Sequence, residues 1–198
     1  MTLGRCRILI SIGLCLLLVA CGNRAEWQTK GIAGLTKSLH FTLTEDNGSE
    51  VRAKDFLGHI TMVYFGYTHC PDVCPNTMAK LKAAIDRLPE AQAKAVRVLF
   101  ITVDPKRDGL ERLRSYTAAF GPQFVGLRGN QEELQALARR YRVGYSYGTP
   151  DASGNYEVTH ASAVFVFDRK GDARFMVRTP DGVNAIAADL KRLENEAA

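Results

Sequence analysis

Cys70 and Cys74 stand four residues apart in YFGYTHCPDVCPNTMAKL (64–81), where a strand-like apolar run meets the start of a helix. Two thiols at such a junction have two chemical uses. They can close into a disulfide and exchange it, or they can hold a soft metal such as Cu(I) as thiolates. A purely structural bridge is a third use, but a loop this small does little to restrain the unfolded chain. Pro71 and Pro75 each disfavour helical backbone at the residue before them. That predicts both cysteines outside the helix, with Pro75 at its first position. The positive end of the helix would then stabilise at least one thiolate.

A metal needs at least one further donor, and the chain has four histidines: His40, His59, His69 and His160. Local packing or solvent accounts for His40 and His59. His69 adjoins Cys70, but neighbouring side chains on an extended segment point apart. His160 lies just before AVFVFD (163–168), in the loop entering a predicted central strand. If that strand lies near ITMVYF (60–65), the loop approaches the cysteines. Read alone, His160 also fits a surface or hydrogen-bonded histidine.

The remaining cysteines sit in the N-terminal stretch. Arg5 and Arg7 precede an apolar run, Ile8–Ala20, too short for a comfortable membrane span of about 20 residues. The run ends in Leu18-Val19-Ala20-Cys21, which resembles the lipobox of bacterial lipoproteins and implies a lipid on Cys21. Residues 1–20 are therefore expected to be a signal peptide, with Cys6 and Cys15 lost in it, an uncleaved anchor being the alternative. Residues 21–37 are expected to be a lipidated cysteine and flexible tether, and 38–198 the folded domain. The domain would face the periplasm, where a close cysteine pair oxidises unless kept reduced.

The elements that must position these groups are readable in outline. Leu39–Thr44, Asn47-Gly48 and a second short extended stretch predict a hairpin. ITMVYF and VRVLFITV (96–103) are continuous apolar runs of strand length, suited to strands covered on both faces. A helix is predicted from about Pro75 to Leu88. Asp108 with Glu111, and Asn130 with Glu133, match capping boxes for two more, the first stopped by Gly121-Pro122. AVFVFD and 173–177 form a terminal strand pair, and a last helix covers 183–194. Alternating strands and helices imply an α/β layer fold. Composition is globular, 46% hydrophobic and 24% charged over 198 residues. The net charge of +5 comes with no basic cluster interleaved with aromatics, which argues against nucleic-acid binding.

From Phe41 to the last helix the chain resembles the Sco/SenC family of copper-binding, thioredoxin-like proteins. The matching segments are CPDVCP after YFGYTH, ITVDPKRD, AAFGPQFVGLRG, and YEVTHASAVFVFD followed by a turn. The resemblance implies a thioredoxin-like fold: a central mixed sheet flanked by helices, with an N-terminal β-hairpin. It implies copper, as Cu(I) and also Cu(II), held by Cys70, Cys74 and His160. It further implies a role with cytochrome c oxidase subunit II or another copper acceptor, delivering copper to the CuA centre or keeping its cysteines reduced by means of a thiol reductant. Thr159 and Ala161 flank His160 where the family often has aspartate and serine. Asp104, ending VRVLFITV, is a candidate to tune the site, or simply ends the strand with Pro105. The competing expectation is an extracytoplasmic thiol–disulfide oxidoreductase with Cys70 and Cys74 as its redox pair. The CxxxC spacing, and Thr159-His160 where such reductases carry a cis-proline, favour metal binding.

Overall fold

The computed structural model describes residues 26–196. The signal peptide and Cys21 lie outside the described residues. Among the described residues no helix is long and apolar enough to cross a membrane.

The apolar runs become the middle of one eight-stranded sheet. Ile60–Gly66 (β4) is buried at every position, and Val96–Thr102 (β5) at all but Arg97. β4 pairs with β5 in parallel, from Ile60 opposite Val96 to Gly66 opposite Thr102. Phe124–Arg128 (β6) extends the parallel set on the far side of β5. On the other flank of β4 runs Val164–Phe167 (β9), antiparallel, with Tyr64 opposite Val164. Ala173–Val177 (β10) returns beside β9. This direct pairing of β4 with β9 brings the His160 loop to the same end of the sheet as the cysteines.

The expected N-terminal hairpin forms from Thr42–Glu45 (β2) and Glu50–Arg52 (β3), and β2 pairs with β6. Gly48 takes a positive φ of 94° in the turn, and the Asn47 side chain accepts from the Ser49 amide. That is the use of Asn-Gly that the sequence implies.

Helices cover both faces. Val73–Ile85 (α1) follows β4 and packs against Val183–Glu196 (α5). A short helix, Glu90–Lys94 (α2), leads into β5, and Leu110–Ala118 (α3) packs on β6. The opposite face belongs to Gln131–Tyr141 (α4), whose Tyr141 ring meets Phe65, Phe165 and Phe167 at 5.7–6.4 Å. Alternation along β4 thus sends Phe65 to α4 and Tyr64 towards Phe100 and the α1 side. Each fully buried aromatic or aliphatic side chain in these layers contributes about 1.5–3 kcal/mol. The central mixed sheet, its flanking helices and the hairpin bear out the α/β, thioredoxin-like expectation.

Three expectations need correction. The segment read as a tether up to Lys37 is partly folded. Lys30–Gly31 (β1) pairs with β10, and the buried Asp189 carboxylate accepts from the Gln28 and Thr29 amides and the Thr29 hydroxyl. Trp27 stacks on Phe175 at 4.9 Å. Asp108 does not cap α3. Its N-cap is Gly109, while the Asp108 carboxylate turns into the protein to accept from Thr68 and Thr102. Those buried donors outcompete an exposed helix end. Finally, α1 begins at Val73, so Cys74 is already helical and Pro75 is the third helical residue. The missing N–H of Pro75 costs nothing in the first turn, and Cys74 takes helical backbone there despite the steric bias against it before a proline. Asn130 and Glu133, by contrast, do form the reciprocal capping box.

Candidate metal centre

β4 ends at Gly66, and the chain then crosses the top of the sheet through Tyr67–Asp72 before entering α1. Cys70 is half-buried in that crossing, and Cys74 is fully buried on the first turn of the helix. The Cys74 amide points back at Cys70 Sγ, 3.4 Å away. This is one of the unpaired N–H groups of a helix start, which favours negative charge on the sulfur. Both cysteines are free thiols.

His160 comes from a separate two-stranded sheet, Tyr145–Tyr147 (β7) with Val158–His160 (β8). Its Nε2 lies 3.3 Å from Cys74 Sγ. The two sulfurs and a histidine nitrogen all fall within 4.8 Å of one another. His160 Nδ1 sits 3.1 Å from the Ala161 carbonyl oxygen, which can only accept. Nδ1 therefore carries the proton and Nε2 presents its lone pair to the sulfurs. The carbonyl of Ala161 thus does the orienting that an acidic neighbour would otherwise do. Tyr64 and Tyr67 hold the ring edge-on, with centroids 6.0 and 5.7 Å away.

The β7–β8 hairpin is tied down by the segment that follows β5. Asp104 is fully buried, but its carboxylate accepts from the Tyr156 hydroxyl at 2.8 Å and pairs with Arg107. The Arg107 guanidinium lies 3.8 Å over the Tyr156 ring, and the Tyr147 hydroxyl donates to the Val103 carbonyl. Asp104 thus acts on the hairpin that carries His160 rather than by a hydrogen bond to any of the three donor side chains. The signal was there in Tyr145, Tyr147 and Tyr156, three tyrosines flanking a loop that holds Gly148 and Gly154. His69 turns aside, its Nδ1 3.3 Å from Asp108. His40 and His59 lie outside the cluster.

The donor set suits a soft, low-coordinate cation. Two sulfurs and one imidazole nitrogen match Cu(I), and with a further ligand Cu(II). Gly66 leaves the space that this packing requires, since a Cβ there would lie 3.0 Å from Cys74 Sγ and 2.7 Å from Phe100 Cε2. Burial pushes the Cys74 thiol up to about 12. Burial pushes His160 down from its ordinary value, so it stays a neutral donor. The site is thus a protonated thiol beside a bare imidazole nitrogen, in position to exchange the thiol proton for a metal ion. Its mouth is a surface cleft of about 370 Å³, lined among others by Pro71, Asp72, Val73, Glu157 and Thr179.

This chain is similar to known proteins over nearly its whole described length. The sequence profile of the SCO1/SenC family matches residues 31–195. Protein SCO1 homolog 1 of Arabidopsis thaliana is 40% identical over 126 residues, 64% of this chain. The human SCO1 homolog is 38% identical over 133 residues, 67% of this chain. Those matches span 37% and 44% of the two relatives, so this chain corresponds to less than half of their length. Among solved structures, Arabidopsis thaliana ScoI with copper bound superposes with a TM-score of 0.74 at 33% identity, covering 80% of this chain and 98% of that one. Bradyrhizobium japonicum ScoI with copper bound gives 0.71 at 33%, covering 79% and 98%. With that profile matched over residues 31–195, the chain belongs to the SCO1/SenC family.

Proposed function

We propose that this protein is a copper metallochaperone whose cargo is held by Cys70, Cys74 and His160. The observation that carries the reading is the convergence of two sulfurs and the deprotonated Nε2 of His160 from two separate elements. The copper-bound relatives support copper as the cargo. Delivery goes by ligand exchange to the thiols of an acceptor, the CuA-bearing subunit II of cytochrome c oxidase being the acceptor that family resemblance supports. A thiol reductant of the same compartment keeps the pair reduced. The domain is anchored through lipid on Cys21 and faces the periplasm, a part of the proposal that rests on Leu18–Cys21 alone.

A strain lacking the protein tests the reading. At limiting copper it should lose oxidase activity, and the wild-type gene should restore it while a His160→Ala gene should not. Restoration by His160→Ala would instead point to disulfide exchange by Cys70 and Cys74, which does not need the imidazole. Full activity without the protein would remove the delivery role.

The state of the free site also predicts a pH dependence. Cys74 is a thiol throughout the neutral range and must lose its proton on binding, whereas His160 is already neutral. Cu(I) affinity should therefore rise with pH, by about tenfold per pH unit for each proton released. Competition against a chelator of known proton affinity between about pH 6 and 8 measures the slope. A flat profile would contradict the assignment of Cys74 as a ligand.

A further inference from the structure

Asp108 has no exposed surface. Keeping a carboxylate out of water is costly unless donors surround it, and here three do. One oxygen accepts from the Thr68 amide at 2.9 Å and from the Thr102 hydroxyl at 2.6 Å. The other accepts from the Thr68 hydroxyl at 2.6 Å, with His69 Nδ1 3.3 Å away. Arg112 Nε donates to that same hydroxyl, which commits the hydroxyl's own proton to Asp108. Two of the three donors belong to a turn that ends at a candidate ligand. The Cys70 amide donates to the Tyr67 carbonyl at 3.2 Å, closing a turn with Thr68 and His69 at its centre. Asp108 therefore grips the middle of the turn that delivers Cys70. The gripping segment is itself closed, since the Asp108 amide donates to the Asp104 carbonyl at 3.0 Å. Asp104 is the carboxylate that ties down the hairpin carrying His160. One short turn after β5 thus carries two fully buried carboxylates, one for each ligand-bearing loop.

We propose that Asp108 is a positioning residue for Cys70, holding the Tyr67–Cys70 turn at a set distance from the His160 hairpin that Asp104 holds. This rests on the copper reading above and adds a residue to it. With the turn fixed in advance, the Cys70 sulfur does not have to be ordered when the ion binds, so that cost is absent from the binding step. A carboxylate suits the task because it only accepts. An asparagine would have to turn its own NH2 group towards one of the three donors and lose at least one of the bonds.

The test compares wild type with Thr68→Val, Thr102→Val and Asp108→Asn, reading the metal-free melting temperature and the Cu(I) affinity against a competing chelator. Thr68→Val and Thr102→Val each take one hydroxyl from the same carboxylate, so both should lower the melting temperature. Only Thr68 belongs to the cysteine turn. Cu(I) affinity should therefore fall in Thr68→Val and Asp108→Asn by about tenfold or more, the scale of losing a supporting partner in a metal site. Thr102→Val should keep the wild-type affinity despite its lower melting temperature. That split separates positioning from bulk stability, which would move all three variants together. Should Asp108→Asn not fold, the pair of threonine variants decides alone. Wild-type affinity in Thr68→Val, with tight binding in the wild type, would overturn the role of Asp108 and leave the copper site standing. So would an affinity that tracks melting temperature equally in Thr68→Val and Thr102→Val. Failure of the wild type to bind copper would overturn the copper reading, and this inference with it.

Discussion

Replacing Cys74 by alanine should abolish tight Cu(I) binding while leaving the fold intact. Sites built from four thiolate and imidazole ligands hold their metal with roughly 10–16 kcal/mol, or about 3 kcal/mol per ligand. Losing one of only three donors should therefore cost at least about 10²-fold, and more if the remaining pair cannot close round the ion. The fold has little at stake: the change removes one sulfur from the first turn of α1, in the usual single-substitution range of about 0.5–3 kcal/mol. Chelator competition paired with thermal melting separates the two effects. Cys70→Ala should behave alike in binding and be milder in stability, because Cys70 is only half-buried. Full retention of one tightly bound copper by either variant would sink the assignment.

Gly66→Ala should damage both the fold and the site. Nothing in the backbone forbids alanine, since Gly66 does not take a positive φ. The obstacle is space: the added methyl meets the Phe100 ring at 2.7 and 3.1 Å and Cys74 Sγ at 3.0 Å. Phe100 has no exposed surface and Cys74 is held by its helix, so neither can simply swing away. Overpacking of this kind costs about 1–3 kcal/mol, a melting-temperature drop of roughly 3–10 °C for a domain of this size. Whatever relief comes from pushing the sulfur aside pulls it away from His160 Nε2, so copper affinity should fall as well. Gly182→Ala is the control, for nothing lies within 4 Å of a Cβ there. A Gly66→Ala protein with wild-type melting and wild-type affinity would show that the packing against Cys74 carries no weight.

Much of this was legible in the sequence, and the exceptions share a cause. ITMVYF, VRVLFITV and AVFVFD announced buried strands because both of their faces are covered. Their order let His160 be placed near the cysteines once β9 was set beside β4. Strand β6 escaped notice because Gly126 interrupts its apolar run. That glycine is required where a Cβ would lie 2.9 Å from both Asp46 and Leu113. The β7–β8 hairpin escaped because each strand has three residues, joined by a ten-residue loop holding Gly148, Pro150 and Gly154. Asp108 misled in another way. Its spacing to Glu111 fits a capping box, but nothing local reveals that Thr68, just past β4, and Thr102, at the end of β5, claim the carboxylate. Trp27 and Thr29 look like tether until β10 and Asp189 are seen beside them. Local pattern reports which segments bury their faces. It does not report which polar groups find each other across the fold, and that is where Asp104 and Tyr156 sit.

The central claim is that three atoms, not two, hold the cargo. The most direct test is an anaerobic Cu(I) titration of reduced protein spanning residues 22–198 against a competing chelator, with wild type beside His160→Ala. One tightly bound copper in the wild type, weakened by about 10²-fold in the variant, is the result that three-atom coordination predicts. Equal affinity in the two proteins would contradict it, leaving the imidazole a neighbour of the thiols and moving the function towards disulfide exchange.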